Sequence, residues 1–225
     1  MKTLTLTAVL LAAGLAFPLA AQDTAETEDD TPSAAEQAGL SLGQPDVGTA
    51  YVRETHGDWE MRCIVSPQNQ PDPCQLYQLL DDAEGNPVAE FNLFDVPDEG
   101  ELVAGATIVT PLDTLLTGQL RMAVDSNQAR VYPFSFCQPV GCYVRLGLSD
   151  ADIQSFRAGS EATIGIVPLQ APDQLVPLTL SLSGFTAGFE ALVAYNAEAL
   201  EQLRALAAAA AEEDAAGSED APASE

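Results

Sequence analysis

The middle of the chain alternates apolar and polar residues in short runs, and this period of two predicts β-strands. The alternation is clearest at Leu120, Met122 and Val124. Clusters of Gly, Asn, Asp and Pro separate the runs and are typical of turns. Nine strands are predicted on this basis, at residues 58–65, 75–81, 89–96, 102–110, 119–125, 131–137, 142–148, 162–169 and 175–185.

Two segments have a helical pattern instead. Residues 149–159 begin with Ser149, a favourable N-cap, and end at Gly159, a favourable helix end. After Thr186, apolar residues recur at helical spacing, at Phe189, Leu192, Val193, Leu200 and Leu203. Short strands with one or two short peripheral helices predict a mainly β fold, an antiparallel β-sandwich.

The first 21 residues resemble a secretory signal peptide. Lys2 is followed by an apolar run and then by small residues, with cleavage expected near Ala20 or Ala21. The run contains Gly14 and Pro18 and is short for a membrane span, which needs about 20 apolar residues. An uncleaved N-terminal anchor is the alternative. We therefore expect a periplasmic or secreted protein with no membrane span after signal cleavage.

The rest of the chain divides into three predicted zones. Residues 22–50 are acidic and almost free of bulky apolar groups, which predicts a disordered linker. Residues 51–195 contain all the cysteines and are predicted to form the β-sandwich domain. Residues 196–225 are rich in alanine and acidic residues and predict a tail that passes from helix to disorder.

The charge of the chain excludes one class of partner. There are 34 acidic and 8 basic residues, and Lys2 is the only lysine. Removal of the signal peptide would leave seven arginines and a net charge of −27. A field of this sign repels nucleic acid. We expect a partner that is another protein or a component of the cell envelope.

Four cysteines are consistent with export, because disulfides persist in oxidising compartments. They allow three pairings. The short spacings and the prolines between the cysteines favour two local bridges, Cys63–Cys74 and Cys137–Cys142. A redox role is the alternative, but neither pair has the C-x-x-C spacing of a reactive site.

No segment carries a recognisable catalytic motif. His56 is the only histidine, so a histidine-rich metal site cannot form. Acidic pairs are frequent, but a general acid also needs a dry cleft that raises its pKa. We therefore expect no catalytic residue, no cofactor and no metal. The alternative is an exported enzyme that uses an acidic pair or His56 in a cleft.

Aromatic residues within the predicted strands are expected to build the core. Buried aromatic side chains dominate the packing of protein interiors. Trp59, Phe134 and Phe185 are predicted to be structural core residues on this ground. A surface on which a ligand stacks is the alternative for the same aromatic rings.

An ordered set of motifs resembles one family of exported bacterial proteins, the invasion-associated locus B family. The motifs cover about residues 55–195. They are GDWEMRC (57–63) with Cys74, GATIVTPL (105–112), RMAVD (121–125), PFSFCQPVGCYVRLGL (133–148) and LTLSLSGFTAGFEAL (178–192).

This resemblance implies an exported, immunoglobulin-like β-sandwich without known enzymatic activity. The family name reflects a role of a pathogenic member in host-cell invasion. We therefore expect a disulfide-stapled, exported module that binds a partner or associates with the envelope, with host contact as one possible form of that role.

Overall fold

The computed structural model describes residue 43, residues 46–67 and residues 69–219, without the side chains of 97–99 and 212–219. All the elements below belong to one unit, Gln44–Glu225. The predicted signal peptide, most of the predicted acidic linker and the end of the predicted tail lie outside the described residues.

The described residues of this unit form eleven strands and two α-helices. The strands are β1 (Ala50–His56), β2 (Trp59–Ile64), β3 (Cys74–Asp81), β4 (Pro87–Glu99), β5 (Leu102–Thr110), β6 (Leu120–Val124), β7 (Arg130–Tyr132), β8 (Phe134–Gln138), β9 (Gly141–Ser149), β10 (Glu161–Ile166) and β11 (Val176–Ser181). The α-helices are α1 (Asp150–Ala158) and α2 (Phe185–Glu219), and a short 3-10 helix spans Leu116–Gly118.

All neighbouring strands are antiparallel and belong to one sheet with the order β7-β6-β10-β11-β3-β4-β5-β9-β8. β1 pairs with β2, and β2 pairs with β3. β7 at one end of this order comes close to β9 near the other end, so the sheet is nearly barrel-shaped. The prediction of a mainly antiparallel β fold with two helices is confirmed. The immunoglobulin-like sandwich stays a prediction.

β3 has an unusual position because two strands share one of its edges. Its first half pairs with β2, from Cys74 opposite Cys63 to Tyr77 opposite Glu60. Its last residue, Asp81, pairs with Thr179 of β11. β2 and β11 therefore separate from each other along β3.

The inward faces of the strands and the first turns of the helices form the core. Trp59 and Phe185 are fully buried, and their rings meet edge to face with centroids 5.4 Å apart. Phe91 packs on Trp59, Phe156 packs on Phe185, and Phe91 and Phe156 also contact each other, so the four rings form one cluster. Phe134 is only half-buried against the core, because β8 is an edge strand with β9 as its one neighbour.

The sequence predicts the bounds of α1 correctly but not the length of α2. α1 has the predicted N-cap, Ser149, in a capping box with Asp152, and it ends before Gly159. α2 is 35 residues long, which corrects the expectation of a short helix. Its first turns pack on the core, and every residue from 201 to 211 is exposed. The alanine run prolongs the helix because alanine has the highest helix propensity.

Candidate functional site

Two turns from distant parts of the sequence pack tightly against each other. One is the β1–β2 turn at Gly57 and Asp58, and the other is the turn at Ser183 and Gly184 before α2. The Asp58 N–H donates to the Ser183 carbonyl oxygen over 3.1 Å. Both glycines have positive φ, 59° at Gly57 and 83° at Gly184. We call this arrangement the turn pair.

A hydrogen-bond network continues from the turn pair onto the sheet. The Ser181 hydroxyl donates to Asp58 Oδ2 over 2.6 Å. The buried Gln78 side chain donates to the Ser181 carbonyl oxygen over 3.0 Å and accepts from the Ser181 N–H over 2.6 Å. The side-chain amide of Gln78 thus connects β3 to β11 at a point where the backbones of these two strands do not pair.

The separation leaves an open groove of about 430 Å³ on the outer face of the sheet. We call it the β2–β11 groove. Its floor is β3, and its walls come from β2 with its preceding turn and from β11. The lining residues are Asp58, Glu60, Arg62, Tyr77, Gln78, Leu79, Asp81, Thr179 and Ser181.

The single arginine of the β2–β11 groove is held in place by its neighbours. Arg62 Nε lies 2.7 Å from Glu60 Oε2, and the guanidinium lies 3.2 Å from the centre of the Tyr77 ring. Burial and, next, the charge of Glu90 raise the pKa of Tyr77. Tyr77 therefore stays neutral and provides an aromatic face for the arginine.

His56 and the acidic pairs of the sequence, such as Asp81 with Asp82 and Asp150 with Asp152, do not converge on one site. His56 contacts Glu54, with 3.1 Å between Nε2 and Oε2, and it is not part of the groove lining. Asp81 lines the groove, whereas Asp82 accepts hydrogen bonds from the side chain and backbone of Asn86, which lower its pKa. Asp152 caps α1. Among the described residues, no group of three or more His, Cys, Asp and Glu is placed to hold a metal.

A second, smaller cavity of about 240 Å³ lies between the β6–β7 hairpin and α1. An ion pair borders it, with 2.6 Å between Arg130 Nη1 and Asp152 Oδ1. Asp152 also accepts from the Ser149 backbone and hydroxyl. Because this ion pair and the helix cap use the same carboxylate, the polar groups here have a structural role in holding the hairpin against α1.

All four cysteines form disulfides, and the pairs are those that the spacing favours. Cys63–Cys74 joins β2 to β3 at fully and nearly fully buried positions. Cys137–Cys142 joins β8 to β9 at the edge of the sheet, where Cys137 is exposed and Cys142 is buried. Disulfides are characteristic of proteins in oxidising compartments.

Asp72, inside the first disulfide loop, connects three parts of the fold. Its carboxylate accepts from the Ser66 N–H and from the Tyr51 hydroxyl, each over 2.7 Å. Its carbonyl oxygen accepts from the Tyr195 hydroxyl of α2 over 2.9 Å. The Ser66 and Tyr51 hydrogen bonds, in that order, lower the pKa of Asp72.

The stability of the fold should therefore depend on the ionisation of Asp72. Its pKa is lower in the folded chain than in the unfolded chain, where it is about 3.9. The stabilisation is complete above the unfolded value and disappears as the pH falls through the folded value. In urea unfolding, the stability difference between wild type and Asp72→Asn is expected to be constant above about pH 5 and to shrink below it. A difference independent of pH would contradict this role.

Sequence reasoning missed both Asp72 and most of the groove. One signal was available at Gln78, a polar residue in phase with the apolar Leu76 and Leu80 of the same strand. A polar side chain on an inward face needs a hydrogen-bond partner. Nothing local identifies that partner, because Ser181 lies 103 residues further along the chain.

Comparisons with known proteins agree with the predicted resemblance. The family model described as "Invasion associated locus B (IalB) protein" matches residues 59–193. The crystal structure of invasion associated protein B from Bartonella henselae has a similar fold, with a TM-score of 0.52 and 20% sequence identity. That similarity covers 64% of this chain and 97% of the Bartonella chain. No curated protein is similar enough to count as a match.

The family match includes Trp59 of the first motif, both disulfides and the turn pair's Gly184. No helix among the described residues is both long enough and apolar enough to cross a membrane. Since the family model spans more than half of the sequence, the chain belongs to the invasion associated locus B (IalB) family.

Proposed function

We propose that this chain is an exported, envelope-associated binding module without catalytic activity. In this proposal residues 1–21 direct export and are removed, and the domain works in the periplasm or outside the cell. An immunoglobulin-like arrangement of the strands belongs to the same proposal. The observation that carries the binding role is the β2–β11 groove, an open depression on the outer face of the sheet.

The groove suits binding better than catalysis. Most of its polar side chains are engaged with each other: Asp58 with Ser181, and Glu60 with Arg62. A general acid or base needs a titrating group directed at the substrate, and a nucleophile needs an adjacent base. His56, the only histidine, is outside the lining. The alternative of an exported enzyme therefore has less support from the geometry.

Membership of the family supports the same conclusion. The two disulfides favour a protein that works outside the cytoplasm. The name of the Bartonella protein associates that protein with invasion. Contact with a host surface would be one form of this binding role, and that contact would use the same groove.

Photo-crosslinking in the producing bacterium tests this function. A benzophenone amino acid is placed at Thr179, an exposed residue of the groove wall. The matched control places it at Gln170, which is also exposed and lies outside the groove. We expect an adduct with an envelope protein from position 179 and none from position 170. Equal adducts from both positions, or none from either, would contradict a binding role for the groove.

A further inference from the structure

We propose that the β2–β11 groove binds an extended peptide segment that carries lysine or arginine side chains. This inference rests on the proposed binding function and names the chemistry of the partner. Three features of the groove lead to it: its apolar floor, its uncompensated negative charge, and its shape between two separating strands.

The floor of the groove is apolar at its centre. Leu79 faces outward from β3, one of the inner strands of the sheet, and 45% of its surface is exposed. Beside it the Tyr77 ring is covered by the Arg62 guanidinium. Aliphatic stems of lysine and arginine pack well on such surfaces while their charged ends reach more polar surroundings. A basic side chain can therefore cover Leu79 and still reach a carboxylate.

The charge of the groove selects a cation. The lining contains three carboxylates and one guanidinium, and that guanidinium is already paired with Glu60. Asp81, at the end of the floor, forms no side-chain hydrogen bond or ion pair with any described residue. An approaching ammonium or guanidinium group would gain Asp81 as a partner and would meet no unpaired cation in the lining. Complementary charge of this kind directs partner choice and accelerates association.

The shape of the groove favours an extended segment over a helix. β2 covers β3 as far as Tyr77, and β11 meets β3 only at Asp81. Residues 78–80 of β3 therefore have no partner on this edge among the described strands. A helix uses its backbone N–H and C=O groups in its own hydrogen bonds, whereas an extended segment can offer them to an unpartnered strand edge. Alternate side chains of such an extended segment then point to the floor of the groove.

Binding of a defined peptide tests the proposal. The probe is fluorescein-labelled Lys-Val-Lys-Val-Lys-Val, and its binding to the full mature protein is followed by fluorescence anisotropy at low salt. The groove variant is Glu60→Gln with Asp81→Asn, which spares Asp58 because of its bond to Ser181. The matched control is Glu101→Gln with Asp173→Asn, two exposed residues outside the groove. Both variants remove the same charge.

We expect the groove variant to raise the Kd about three- to tenfold, because it removes the ion pair with Asp81 and leaves the positive charge of Arg62 without Glu60 to balance it. The control should change the Kd less than about twofold, since it changes only the overall field. Leu79→Ala should also weaken binding, while Leu169→Ala, which truncates an exposed leucine outside the groove, should not. Unfolding curves of all four variants confirm that they are folded.

Other results would overturn the inference. Equal weakening by the groove variant and the control would show general attraction to a chain with a charge near −27. Equally tight binding of spermine would show that a cation is enough without an extended peptide. If the peptide does not bind but Thr179 still forms its specific adduct, the cationic segment is wrong and the binding function stands. If both experiments fail, both proposals fail.

Discussion

Replacing Gly184 with alanine is expected to lower the free energy of unfolding by about 3–5 kcal/mol, or to prevent folding. Gly184 has φ of 83°, where a side chain adds strain of about 1–2 kcal/mol. A Cβ at this position would also overlap the His56 carbonyl oxygen and lie 2.7 Å from the Gly57 nitrogen. Backbone cannot yield as a flexible side chain can, so the turn pair would have to separate.

Gly85→Ala is the matched control for this result. Gly85 has nearly the same φ, 81°, but a Cβ there would meet nothing within 4 Å. Its replacement should cost only the strain, about 1–2 kcal/mol. Urea unfolding of both variants gives the two losses in free energy of unfolding, and their difference is the cost of the close contact at Gly184. Equal losses in the two variants would show that the contact within the turn pair contributes nothing.

Removal of the first disulfide should have an effect of similar size. The free energy of unfolding of the variant Cys63→Ala with Cys74→Ala is expected to fall by about 3–5 kcal/mol. The bridge joins residues that are 11 positions apart in sequence. Without it the unfolded chain has more conformations, which lowers the free energy of unfolding by about 3 kcal/mol. Both sulfur atoms belong to core residues, so packing is lost as well.

The second disulfide provides the comparison. The free energy of unfolding of the variant Cys137→Ala with Cys142→Ala should fall by only about 2 kcal/mol. The two cysteines are only 5 positions apart in sequence, and Cys137 is exposed on an edge strand. Unfolding of the two double variants under non-reducing conditions gives the order. A larger loss from the second bridge would contradict the view that Cys63–Cys74 is part of the core.

The locally determined parts of this fold could be predicted from sequence. α1 begins and ends at Ser149 and Gly159 because capping depends on a few neighbouring residues. The disulfides follow from short spacings between cysteines on adjacent strands. Each of the nine predicted strands overlaps an observed one, although the segment 131–137 is divided at Pro133, which has no N–H for the ladder.

The parts that depend on distant contacts could not be predicted. β1 has almost no apolar alternation, since most of its residues are exposed and β2 is its one partner. The β2–β11 groove exists because β3 is shared by two strands that are over 100 residues apart in sequence. Strand periodicity identifies the outward faces of β2, β3 and β11 but not which strands lie side by side.

The most direct test of the binding role is the identity of the protein segment that crosslinks to the groove. Mass spectrometry of the adduct formed by the benzophenone residue at Thr179 would locate the crosslinked peptide in the partner. We predict an envelope protein and, within it, an extended segment rich in lysine or arginine, with no such adduct from Gln170. Absence of an adduct at position 179, or the same adducts at both positions, would contradict the account.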